Sequence, residues 1–166
     1  MEIPEDLKQP LQRALARVEY SDLTVGEMER YLTDPRRRST GFSPEIARRV
    51  IDILTDQGFL DDKRTLKSAV RRLDAKHLGP RRIREELKRR LFPPQYVEAA
   101  LARRIDYDAR ADRFLAAVSG APALARTPEG RKKLAGRLIR AGFDSAAAYG
   151  AVNRLSDGAD DLEDLT

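Results

Sequence analysis

Asp61 and Asp62 are adjacent carboxylates, a pairing that can hold a metal ion or move a proton when further ligands or a nucleophile lie near. His77 is the only histidine and there is no cysteine, so the chain lacks the four N, S or O ligands that a zinc site wants. There is no glycine-rich phosphate loop and no histidine paired with a nucleophile. The two carboxylates therefore read as helix caps, and His77 as a residue at a helix C-terminus, where partial positive charge is favoured. Catalytic residues, metal ligands and cofactor-binding residues are not expected. The chemistry that remains is that of cations. Arg64, Lys67 and Arg71 recur at i, i+3 and i+7, and so do Arg81, Arg84 and Lys88, with Arg82 and Arg89 beside them. Such rows suit phosphates or an acidic protein surface. Glu85 and Glu86 cannot neutralise Arg81, Arg82, Arg84, Lys88, Arg89, Arg90 and the nearby Lys76, so the eight cations named first are the candidate partner-binding residues.

The elements that carry them are helices. In the stretch from Gly79 to Leu101, Pro80 suits a first helical position, and Ile83 and Leu87 form an apolar stripe. Pro93 and Pro94 stop that helix and start another, with Val97, Ala100 and Leu101 inward. Upstream, Leu7, Leu11, Ala14, Leu15 and Val18 mark a first amphipathic helix. Thr24 with Glu27 reads as a capping box opening a second, striped by Val25, Met28 and Leu32. Arg36, Arg37 and Arg38 read as a solvated loop. Ser43-Pro44-Glu45 opens a third helix, which buries Ile46, Ala47, Val50, Ile51 and Leu54 and ends at Gly58. Asp61 or Asp62 caps a fourth, with Leu66, Ala69, Val70 and Leu73. A seventh runs from about Asp106 with Ala111, Phe114, Leu115 and Val118, and Gly120-Ala121-Pro122 breaks it. Thr127-Pro128-Glu129 opens an eighth, with Leu134, Leu138 and Ile139 inward, and Asp144 caps a ninth, with Ala148, Val152 and Leu155. No segment alternates as a strand does.

The 166 residues include 32 bases and 27 acids, with charged residues at 36% and apolar ones at 41%. That is much surface for little core. The acids Asp157, Asp160, Asp161, Glu163 and Asp164 crowd the C-terminus, which leaves 22 acids against 32 bases, a net +10, on residues 1–156. Such a body attracts polyanions, and residues 156–166 read as a disordered acidic tail. No apolar run approaches the roughly 20 residues of a membrane span, and the polar N-terminus is unlike a signal peptide. The expectation is a cytoplasmic protein, monomeric, without membrane contact.

A period of about 50 residues runs through the helices. Phe42, Phe92 and Phe143 hold one turn position, and Ala47, Val97 and Ala148 follow each by five. Val50, Ala100 and Ala151 follow by eight, and Ile51, Leu101 and Val152 by nine. Two apolar residues four apart precede each Phe: Met28 and Leu32, Ile83 and Leu87, Leu134 and Leu138. The nearer lies five residues before Phe92 and Phe143 but ten before Phe42, so five residues are inserted there. The expected fold is all-α: nine helices as three tandem three-helix repeats, 1–57, 58–105 and 106–155, forming an elongated, curved body.

Three segments resemble the RecX family, bacterial modulators of the recombinase RecA. They are Gly58-Phe59-Leu60-Asp61-Asp62, Gly79-Pro80-Arg81-Arg82-Ile83-Arg84-Glu85-Glu86-Leu87, and Val97-Glu98-Ala99-Ala100-Leu101. Thr65-Leu66 and Ala69 stand where the family usually has aromatic residues, and Leu91 where it tends to have Gly. The resemblance, over residues 10–155, implies three-helix repeats lying in the groove of the RecA–DNA filament. It implies a regulator, of the inhibiting kind, of ATP hydrolysis and strand exchange, with RecA and filament-bound DNA as partners. The alternative is an autonomous helical DNA-binding module, in which the second and third helices act as a helix-turn-helix.

Overall fold

The computed structural model describes residues 3–36, 41–103 and 105–160, with the side chains of 159 and 160 left aside. Arg37 and Arg38 of the basic loop, and the acids beyond Asp160, lie outside the described residues. Among the described residues there are ten α-helices and no strand. They are α1 (Glu5–Val18), α2 (Val25–Thr33), α3 (Pro44–Asp56), α4 (Asp62–Ala75), α5 (Pro80–Arg89), α6 (Pro94–Leu101), α7 (Tyr107–Ala116), α8 (Ala121–Ala125), α9 (Pro128–Arg140) and α10 (Ser145–Asp160).

Two expectations are corrected here. The chain has a tenth helix, α8, where only a break was expected. Gly120, at φ 71°, does end the preceding segment, but Pro122 then sits in the first turn of a new short helix instead of closing the chain off. Residues 156–160, expected in a disordered tail, continue α10.

Helix starts follow local chemistry. The Thr24 hydroxyl accepts from Glu27 N while the Glu27 carboxylate accepts from Thr24 N, a complete capping box on α2. Ser43 accepts from Ile46 N, Asp106 from Ala109 N, Thr127 from Gly130 N and Asp144 from Ala147 N, each satisfying a donor the helix leaves orphaned. His77 follows α4 in the left-handed conformation, φ 50°, its N–H on the Asp74 carbonyl.

The chain packs as two compact units, and α4, α5 and α6 each contribute to both. The first unit holds residues 1–69 and 87–96 and buries Leu7, Leu11, Ala14, Met28, Leu32, Ala47, Val50 and Leu54 in one cluster. The second holds residues 70–86 and 97–166. Its core joins Ala111, Leu115, Leu134, Leu138, Phe143, Ala148 and Val152, with α8 supplying Ala121 and Ala125.

One hydrogen bond recurs at three turns. The N–H of Phe42 donates to Leu32 O at 3.0 Å, that of Phe92 to Leu87 O at 3.3 Å, and that of Phe143 to Leu138 O at 3.1 Å. The closure before Phe42 is the same despite the five extra residues of sequence there. The residue before each of the last two phenylalanines is left-handed: Leu91 at φ 56° and Gly142 at φ 98°. Leucine at such a position is strained by about 1–2 kcal/mol.

Candidate partner-binding surface

Within each unit, the start of one helix docks on the end of another. In the first, the Thr24 hydroxyl donates to Arg90 O just past α5 at 2.7 Å. Leu91 presses so closely on α2 that a Cβ at Gly26 would fall 2.7 Å from the Leu91 Cβ, so only glycine fits. The Arg90 guanidinium donates to both Glu27 carboxylate oxygens (3.2 and 3.0 Å) and to Asp22 O, and lies over the Phe92 ring at 5.5 Å. In the second unit, Gly79 N donates to Ala141 O at 2.9 Å and Arg81 N to Gly142 O at 3.2 Å. The Arg81 guanidinium reaches Ile139 O at 2.7 Å. Both junctions set the positive end of one helix dipole against the negative end of the next and satisfy terminal carbonyls.

The paired carboxylates are structural. Asp61 caps α4 by accepting from Lys63 N and Arg64 N. The Arg64 amide, the largest influence, holds its carboxyl below the ordinary value. Asp62 turns the other way and accepts from Val25 N at 2.8 Å. Burial pushes its carboxyl up, partly offset by that amide. No cluster of three or more metal-ligating side chains exists among the described residues.

The eight candidate cations divide by what holds them. In the second unit, Arg81 pairs weakly with Glu85 (3.9 Å), Arg82 with Glu85 (3.4 Å) and Glu86 (2.9 Å), and Arg84 with Glu98 (3.1 Å). In the first, Arg64 bends back onto Gly58 O and Phe59 O, and Arg89 has an internal partner. Lys67, Arg71 and Lys88 are exposed and make no ion pair or side-chain hydrogen bond among the described residues. Counting charges along the sequence overlooked Glu98 and Glu27, which come from other helices to neutralise Arg84 and Arg90.

Thr65 and Ala69, standing where the family favours larger side chains, are buried at 2% and 4% exposure. Asp74, near the end of α4, was not anticipated as important. It receives both Arg103 (3.0 and 3.2 Å) and Arg110 (2.8 Å). Burial raises its carboxyl, but the two guanidiniums outweigh that and hold it below the ordinary value of 3.8.

No protein-family model matches the chain. The chain is 31% identical over 152 residues to the regulatory protein RecX of Prosthecochloris aestuarii, covering 90% of this chain and 95% of that one. It is 30% identical over 144 residues to regulatory protein RecX of Xanthomonas axonopodis pv. citri, covering 86% and 85%. The chain belongs to the RecX family. A crystal structure of regulatory protein RecX superposes with a TM-score of 0.68 at 18% identity, over 93% of this chain and 79% of that one, a likeness of fold. The left-handed Leu91, φ 56°, sits where the backbone demands φ > 0, a conformation that glycine adopts without strain. Among the described residues no helix is long and apolar enough to cross a membrane.

Proposed function

We propose that this protein regulates the RecA recombinase by binding along the RecA–DNA filament, lowering ATP hydrolysis and strand exchange. The observation that carries the reading is the match to regulatory proteins named RecX over nearly the whole chain. The chemistry suits it. The protein has a net +10 over residues 1–156, and a RecA–DNA filament presents phosphates and acidic side chains. Of the eight candidate cations, Lys67, Arg71 and Lys88 make no ion pair or side-chain hydrogen bond among the described residues and contact the partner most directly. Arg64, Arg81, Arg82, Arg84 and Arg89 contribute charge while also holding the fold. The protein works as a monomer in the cytoplasm, with three helical repeats set off by the turns at Phe42, Phe92 and Phe143.

Co-sedimentation with preformed RecA–DNA filaments tests the reading. Binding to filaments should exceed binding to the same DNA without RecA, and should weaken as salt rises. Equal retention with and without RecA would contradict it and favour the autonomous DNA-binding module.

A further inference from the structure

Among the described residues, a run of exposed bases without internal partners lies on α9. That helix carries five bases, Arg131, Lys132, Lys133, Arg137 and Arg140, against one acid, Glu129. Arg131 donates to Ala125 O at 3.2 Å. Lys132, Lys133, Arg137 and Arg140 are exposed and make no ion pair or side-chain hydrogen bond among the described residues. On α5, by contrast, Arg81, Arg82, Arg84 and Arg89 all have internal partners.

At about 100° per residue, the buried Leu134, Ala135 and Leu138 define one side of α9, and the four free cations spread over the opposite side. Gly136 lies in the middle of that outward side. A glycine inside an exposed helix costs about 1 kcal/mol relative to alanine, so its presence needs a reason. Gly130, on the same helix, has one: a Cβ there would fall 1.9 Å from Leu124 O. At Gly136 a Cβ would meet only the far end of the Arg140 side chain, at the ordinary distance of 3.5 Å. Internal packing makes no demand for it. A partner whose own backbone comes close to the helix would.

The side-chain chemistry narrows the partner. A protein partner needs a buried apolar or aromatic anchor, and the large exposed apolar residues, Ile3, Tyr20, Phe59, Leu91 and Tyr149, all lie off α9. Base stacking needs an aromatic platform, and α9 has none. Cations on successive turns, spanning about 12 Å from Lys132 to Arg140, match a partner whose negative charge repeats along a chain. We propose that the outward face of α9 binds the phosphate backbone of nucleic acid without reading its bases. This goes beyond the regulatory reading, because it needs no recombinase.

The test uses the full-length protein, without RecA, and fluorescein-labelled mixed-sequence DNA, single-stranded and duplex, titrated between 50 and 200 mM salt. Both forms should bind, with similar affinity for unrelated sequences. Replacing Lys132, Lys133, Arg137 and Arg140 with Ala should reduce the log–log salt slope by about 3, at about 0.7–0.9 per lost phosphate contact. Its melting temperature should stay near the parent's, since these side chains make no ion pair or side-chain hydrogen bond among the described residues. Gly136→Gln, which puts a good helix former in place of glycine, should melt higher yet bind several-fold more weakly; a purely structural role would not separate the two. A quadruple variant with the parent's slope and affinity would overturn the proposal, as would a parent that fails to bind bare DNA at 50 mM salt. Unchanged binding by Gly136→Gln would refute the close approach. A filament that still responds to the protein after either failure keeps the regulatory reading separate.

Discussion

Replacing Phe42, Phe92 and Phe143 one at a time with alanine should give three unequal losses of stability whose order follows from the packing. Phe143 is 2% exposed and Phe92 5% exposed, whereas Phe42 is half-buried against the first unit's core. A phenylalanine buries about 150–250 Å², so at about 25 cal/mol per Å² full burial is worth about 4–6 kcal/mol. Measured truncations of buried Phe fall at about 3–5 kcal/mol. Phe92→Ala should fall in that range, since it also forfeits the Arg90 guanidinium above its ring. Phe143→Ala should exceed it slightly, because the ring meets Phe114 edge-on at 6.4 Å, an arrangement worth about 0.5–1.5 kcal/mol. Phe42→Ala should cost about half as much as Phe92→Ala. The assay is urea unfolding followed by far-UV circular dichroism, with equal m-values required before midpoints are compared. A Phe92→Ala loss below about 1 kcal/mol would refute the shared register and, with it, the proposal of three equivalent units.

Three further outcomes follow from the same geometry. Gly142→Ala should cost more than about 2 kcal/mol in the same unfolding assay, since it strains a left-handed residue and sets a Cβ 2.3 Å from Arg82 N; a cost under about 0.5 kcal/mol would refute the tight junction. Asp74→Asn should cost about 1–3 kcal/mol at neutral pH, because Arg110, whose side chain is 11% exposed, loses its carboxylate. The folded carboxyl titrates below 3.8, so its contribution is present above that value and is lost as pH falls through the depressed one. Parent and variant stabilities should then converge in acid, and a constant gap from pH 7 to pH 2 would contradict the clamp.

Much of the architecture was legible in the residues, because helix starts are written locally. Thr24 with Glu27, Ser43-Pro44, Thr127-Pro128 and Asp144 all cap the helices their types imply. Burial at i, i+3 and i+4 was equally plain, as at Ala47, Val50 and Ile51. What stayed hidden depends on contacts distant in sequence. Arg81 looked free for a partner, but its guanidinium reaches Ile139 O, 58 residues away. Arg90 looked like one more surface base until Glu27 met it across 63 residues. Changing Arg81, Arg84 and Lys88 together to Glu would set acids against the Ile139 carbonyl and Glu98. The open basic face of α9 was missed because its stripe of Leu134 and Leu138 drew attention to the core, and only the ion pairing shows which bases are left over.

The central claim, regulation of the recombinase, is tested most directly by RecA ATP turnover on single-stranded DNA with increasing amounts of this protein. The parent should lower turnover. The Lys67→Glu, Arg71→Glu, Lys88→Glu variant should lose most of that effect while melting like the parent. A matched charge reversal at Arg13, Arg30 and Arg48, also exposed and without an ion pair or side-chain hydrogen bond among the described residues, should retain it. RecA turnover that is unchanged by saturating parent protein would contradict the account.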